Sequence, residues 1–163
     1  TSTGGNTTKT ITYTSNSGDT WRTTYNSWRK ESKVIEGNGY GSGNCRGYWF
    51  FGTQFAELKG CTINKVVLKV KRAKLGSWGS SSTLKLAYHG YSTKPSSPSA
   101  PTYFKSVSIG AYNDTYVSYT ITDADILARI KAGTIKGFGL YDSSYGTYVG
   151  CSGTAKVTIT YTE

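Results

Sequence analysis

The sequence predicts an all-β protein, an antiparallel β-sandwich with one short crossover helix at about residues 122–132. Twenty Gly, fourteen Tyr and only three Pro in 163 residues suit a turn-rich β chain, because aromatic and β-branched side chains fit the pleated surface of strands. Short segments of alternating apolar and polar residues recur between Gly, Ser and Asn clusters, at the spacing of a sandwich or barrel. Only one stretch carries a helical apolar period.

The opening residues 1–8 are small and polar, the composition of a linker or a tag remnant. Met is absent throughout, position 1 included, so a piece of a longer parent protein is expected. Residues 9–163 fit a single β-sandwich binding module, long enough to bury a real core. Lys9, Ile11 and Tyr13 alternate with Thr10, Thr12 and Thr14; Val157, Ile159 and Tyr161 alternate with Lys156, Thr158 and Thr160. Each terminal strand thus has one apolar and one polar face, and the two are expected to pair. Between them strands are expected near 21–25, 32–36, 46–51, 62–72, 83–91, 103–109, 115–121, 135–141 and 146–150, enough for two packed sheets. Tyr48, Trp49, Phe50 and Phe51 form an unbroken aromatic run, the pattern of a strand covered on both faces. In residues 63–72 the strand period puts Lys65, Lys69 and Lys71 on one face and Val66, Leu68 and Val70 on the other. The helix is read from a cap at Thr122 or Asp123, through an apolar face of Ile126, Leu127 and Ile130, to a stop at Gly133.

Nineteen basic residues against nine acidic ones give a net charge of +10, which favours anionic partners: nucleic acid, a membrane surface or the acidic polymers of a cell wall. No apolar run approaches the ~18 residues of a membrane span, so no membrane insertion is expected. Cys45, Cys61 and Cys151 are odd in number and lack Cys-x-x-Cys spacing, which argues against a disulfide scaffold and a zinc ribbon and leaves open whether any pair. His89 is the only histidine, which excludes metal centres built on several imidazoles. With Lys85 on its face of the strand, it is expected to be a solvated or hydrogen-bonded surface residue and not a base. Asp19, Glu31, Glu36, Glu57, Asp114, Asp123, Asp125, Asp142 and Glu163 are scattered over turns and a helix start, unlike the flanking carboxylate pair of a glycosidase. Neither a Gly-x-Ser-x-Gly elbow nor a phosphate loop ending in Gly-Lys-Ser/Thr is present. No catalytic residue, metal or cofactor is expected.

Binding chemistry remains. Trp78 sits among small polar residues in segment 75–82, where a large ring has little local apolar company. It either offers a stacking platform for the C–H face of a sugar or folds back over the sandwich edge. Tyr112, Tyr116, Tyr145 and Tyr148 stand in or beside Gly, Asn and Ser turns, where plain edge packing is the first reading of each and ligand contact the second. The candidate ligand residues are Trp78, Lys65, Lys69, Lys71, Tyr112 and Tyr145. For the lysine stripe, solubility and edge protection are the competing explanation. Lys predominates over Arg, and the aromatics lie elsewhere, whereas nucleic-acid modules interleave the two; a nucleic-acid partner is not expected.

The segments 46–52 (RGYWFFG), 58–72 (LKGCTINKVVLKVKR), 89–98 (HGYSTKPSSP), 135–141 (IKGFGLY) and 156–161 (KVTITY) together resemble a known group of modules. These are the C-terminal β-sandwich modules of tail and minor structural, receptor-binding proteins of phages and prophages of Gram-positive bacteria. More distantly the chain is similar to DNRLRE-type modules of bacterial surface proteins. The resemblance implies a jelly-roll sandwich, extracellular on a virion or a secreted surface protein, that contacts a host envelope; it brings no catalytic residues. A bacterial surface glycan or teichoic acid is then the expected partner. The alternatives are a purely structural tail or fibre domain at a homo-oligomer interface, and the targeting module of a wall hydrolase.

Overall fold

The computed structural model of the protein describes residues 7–39, 41–144 and 148–163. These form strands β1 (Thr8–Thr14), β2 (Ser17–Arg22), β3 (Ser27–Trp28), β4 (Lys33–Glu36), β5 (Arg46–Phe50) and β6 (Thr62–Lys71). They continue with β7 (Ser82–His89), β8 (Thr102–Ile109), β9 (Tyr116–Ile121), helix α1 (Ala124–Ala132), β10 (Gly137–Leu140), β11 (Val149–Ser152) and β12 (Lys156–Thr162). One sheet has the order β1-β12-β6-β9, the other β3-β2-β5-β10-β7-β8, and β11 pairs with β4 as a short ribbon. All neighbours are antiparallel. The quartet β1-β12-β6-β9 faces β5-β10-β7-β8, the strand order of a jelly roll. The terminal strands pair as expected, with Ile11 opposite Ile159 and Tyr13 opposite Val157, and β1 already includes Thr8, the last residue of the expected linker.

Alternation builds the core. Val66, Leu68 and Val70 point inward and are fully buried with Trp49, Phe51, Leu84, Leu86 and Phe138. Trp49 keeps its polar end satisfied by donating from Nε1 to the Ser152 carbonyl at 3.0 Å. Helix α1 carries the chain from β9 in one sheet to β10 in the other, burying Ile126 and Ile130. It ends at Gly133 in the left-handed region at φ 82°, the usual helix stop. Its N-cap residue, Asp123, makes no side-chain cap; its carboxylate meets Lys105 Nζ at 3.4 Å. Cys45, Cys61 and Cys151 carry unpaired thiols, and burial pushes Cys45 up to about 11, which leaves it protonated and unreactive at neutral pH.

Three local expectations change. The strand expected at 21–25 is β2, starting at Ser17: both its faces are covered, which erases the alternation, and its Ser-Gly-Asp start reads as a turn. The strand expected at 146–150 is β11, displaced to Val149–Ser152, with residues 145–147 outside the described ones. A 3₁₀ turn at Gln54–Leu58 was not foreseen; it tucks Phe55 and Leu58 into the core.

The surface character expected of His89 is overturned. The residue does point away from the main core, yet only 5% of it is exposed, because the outer face of the six-stranded sheet holds a second aromatic layer. There Trp21, Tyr48 and Phe50 pack with Trp28 and Tyr91. Residues 91–101 fold over this layer: Trp28 Nε1 donates to the Pro95 carbonyl at 2.9 Å, Arg46 to the Pro98 carbonyl at 2.8 Å, and the Tyr48 hydroxyl to the Ser99 carbonyl. Under that cover His89 Nδ1 accepts from the Tyr91 N–H at 3.1 Å, so Nε2 carries the proton toward the Trp49 carbonyl at 2.8 Å. Position 137 on the neighbouring strand must be glycine, since a Cβ there would stand 2.4 Å from the Trp49 oxygen and 2.5 Å from His89 Nε2.

Candidate functional site

The site grows from the end of β6. Arg72, one residue beyond that strand, is 5% exposed and has three carbonyl groups as its partners. Its guanidinium donates to Ser80, to Gly110 at 2.8 Å and to Ser77 at 3.1 Å. Burial pulls its pKa below the ordinary arginine value, but the group remains a cation at neutral pH. This one side chain therefore ties the loop bearing Trp78 to the loop bearing Tyr112. The Tyr112 N–H completes the tie by donating to the Trp78 carbonyl at 2.8 Å. Gly76, at φ 58°, lets the chain pass where a Cβ would stand 2.5 Å from the Tyr148 carbonyl.

Trp78 and Tyr112 consequently meet edge to face, ring centroids 5.9 Å apart at 85°. Trp78 remains 41% exposed. Lys74 Nζ lies 5.4 Å from the Trp78 centroid and 5.0 Å from that of Tyr112, held by attraction to both rings. Beside this notch runs an open groove of about 280 Å3 lined by Lys33, Lys71, Lys74, Tyr112 and Asp114. Lys71 stands 3.9 Å from the Asp114 carboxylate. It also sits 5.0 Å from the Tyr116 ring, with Lys156 at 5.1 Å from the same ring.

The fold thus brings together three of the residues singled out in the sequence, Trp78, Tyr112 and Lys71. Lys69 joins them through Lys156, its direct cross-strand partner. Lys65 shares the outward face but lies four residues back along β6, ~13 Å away at the rise of a strand. Tyr145 lies outside the described residues. Sequence reasoning missed Lys74, Arg72 and Lys33, which reach the site by contacts with the distant loop 110–112 or by lining its groove. It also left out Lys156, although the alternation of β12 marks that side chain as outward-facing.

Exposed rings with an ammonium group over them can stack on an apolar ligand face and attract an anionic one. Among the described residues Asp114 is the one carboxylate lining the groove, and no group of three or more His, Cys, Asp or Glu is placed to hold a metal ion. Among the same residues no helix is long and apolar enough to cross a membrane. No protein-family model matches the chain, and a search of the curated proteins returned no match.

Proposed function

We propose that the protein is a non-catalytic carbohydrate-binding module that attaches its parent, a phage tail or fibre protein or a secreted surface protein, to a glycan or wall polymer of a bacterial surface. The observation that carries this reading is the exposed right-angle pair of Trp78 and Tyr112 with Lys74 over both rings. An aromatic face left in water on a loop braced by a buried arginine is pre-organised for stacking, because little side-chain order remains to be lost on binding. Rings with flanking hydroxyl and ammonium donors suit a sugar's apolar face and its rim of hydroxyls. The lysines add long-range attraction to an acidic wall, and screening over ~8 Å at physiological ionic strength makes that part salt-sensitive.

Binding of purified wall glycan fragments by calorimetry tests the reading. Trp78→Ala is expected to weaken binding at least ~10-fold, about 1.4 kcal/mol, while leaving the melting temperature nearly unchanged, since the ring contributes little to the core. Equal affinity of the variant and the parent protein would place the ligand elsewhere.

A further inference from the structure

We infer that the protein carries a second site, a pocket at the other end of the sandwich that takes a small amphipathic anion: an apolar group the size of one aromatic ring bearing an acidic head. The site goes beyond the glycan reading and does not depend on it. The ten residues of β6 separate it from the notch, ~33 Å at the rise of a strand.

The pocket lies where the 3₁₀ turn Gln54–Leu58 meets the end of helix α1, and its volume is about 160 Å3. Phe55 and Ile135 form an apolar floor, Ala56 and the bare backbone of Gly133 stand at its sides, and Lys59 and Lys136 complete the lining. These parts are held in place without a ligand. Phe55 stacks on Phe51 with ring centroids 5.0 Å apart at 27°. The Gly60 N–H donates to the Lys131 carbonyl at 2.8 Å, and the Lys136 N–H to the His89 carbonyl at 2.9 Å. A pocket fixed in this way has little order left to lose on binding.

Size and polarity select the body of the ligand. An apolar cavity of about 150 Å3 stays dry and takes up a benzene molecule, so a floor of Phe55 and Ile135 in a space of this size suits a single ring or a leucine-sized branch. Among the described residues the large exposed apolar side chains are Tyr25, Trp78 and Tyr103, and none of them lines the pocket. The apolar surface therefore ends with the pocket, too small to be the core of a protein interface, and the occupant is a small molecule.

The two lysines select the head. Lys59 lays its stem along Gly133, where a Cβ would stand 3.3 Å from Lys59 Cδ, and Lys136 approaches from the other wall. Both residues are exposed, and long cationic side chains beside apolar surface bury the stem and keep the charge at the water boundary. Among the described residues neither lysine takes part in an ion pair or lies over a ring. No carboxylate of those residues lines the pocket; Glu57, on the same turn, is engaged by the Tyr13 hydroxyl at 2.6 Å. The mouth is thus positive and uncompensated above an apolar floor, the complement of an apolar body with an acidic head.

Calorimetry of the whole chain with phenylacetate, its neutral analogue 2-phenylethanol, and acetate tests the inference. Phenylacetate is expected to bind at one site at least ~10-fold more tightly than either of the others. Lys59→Gln/Lys136→Gln is expected to bring phenylacetate down to the level of the alcohol and to leave the alcohol unchanged. Ala56→Leu, which fills the pocket from an exposed position, is expected to remove binding of both ring compounds, whereas Trp78→Ala leaves it intact. In the parent protein, nuclear Overhauser contacts between the phenyl protons and the Ile135 methyl groups locate the ring without any substitution. Absence of saturable phenylacetate binding, equal binding of acid and alcohol, or a ring located at Trp78 would each overturn the inference. Glycan affinity at the notch is expected to be unchanged in Ala56→Leu, so the failure of one site is distinguishable from the failure of the other.

Discussion

Lowering the pH from 7 to 4 is expected to remove about 3 kcal/mol of stability through His89 alone. Burial drives this, opposed by its contacts with the Trp49 and Phe138 backbone, and holds the folded-state pKa at about 4 against an ordinary 6.5. Between those values the unfolded chain takes up a proton that the folded chain refuses. The stabilisation is therefore complete above pH 6.5, declines as the pH falls toward 4, and changes no further below it. The geometry gives the cause: Nδ1 already accepts the Tyr91 N–H, so the second proton would have to displace a hydrogen bond beneath the cover of residues 91–101. Urea denaturation of the parent protein and of His89→Gln at several pH values separates this contribution from that of the carboxylates. The parent should lose stability faster over this window, and parallel curves would contradict the assignment.

Arg72→Met is expected to cost about 3 kcal/mol, the order of losing several charge-assisted hydrogen bonds from a buried group, and to dissolve the notch. The methionine keeps the apolar stem packed but withdraws the guanidinium donors from the Ser77, Ser80 and Gly110 carbonyl groups. The loops bearing Trp78 and Tyr112 then lose their common anchor, and glycan affinity should fall at least ~10-fold although neither ring is altered. Hydrogen exchange at the Tyr112 amide, which donates to Trp78, reports the anchor directly. Faster exchange in Arg72→Met is expected; unchanged protection with an unchanged melting temperature would show that the loops hold their places without Arg72.

What was readable in the sequence follows from what is local. The stripe of Lys65, Lys69 and Lys71 was visible because β6 buries one face and wets the other, so its period of two survives in the residues. The terminal pairing and helix α1 were visible for the same reason. Trp78 could be singled out because its neighbours are too small and polar to cover it. His89 shows the limit: its strand neighbours said outward, correctly, but residues 91–101 have the composition of an exposed loop. They cover the ring through carbonyl groups accepting from Trp28, Arg46 and Tyr48, contacts that no local pattern encodes. The adjacency of Lys156 to Lys69 depends on the register of strands almost ninety residues apart. The meeting of Tyr112 with Trp78 depends on a buried guanidinium that reads in sequence as one more basic residue after Val-Lys.

The most direct test of the proposed site is where a glycan touches the protein. In amide and indole correlation spectra recorded while a purified, glycosylated wall polymer is added, the largest shifts are expected at the Trp78 indole N–H and at the amides of Lys74 and Tyr112. They should continue along Lys69–Lys71 and Lys156, while Trp28, Tyr91 and residues 95–99 on the opposite sheet stay still. Shifts confined to that opposite sheet, with Trp78 and Tyr112 unmoved at saturation, would contradict the site.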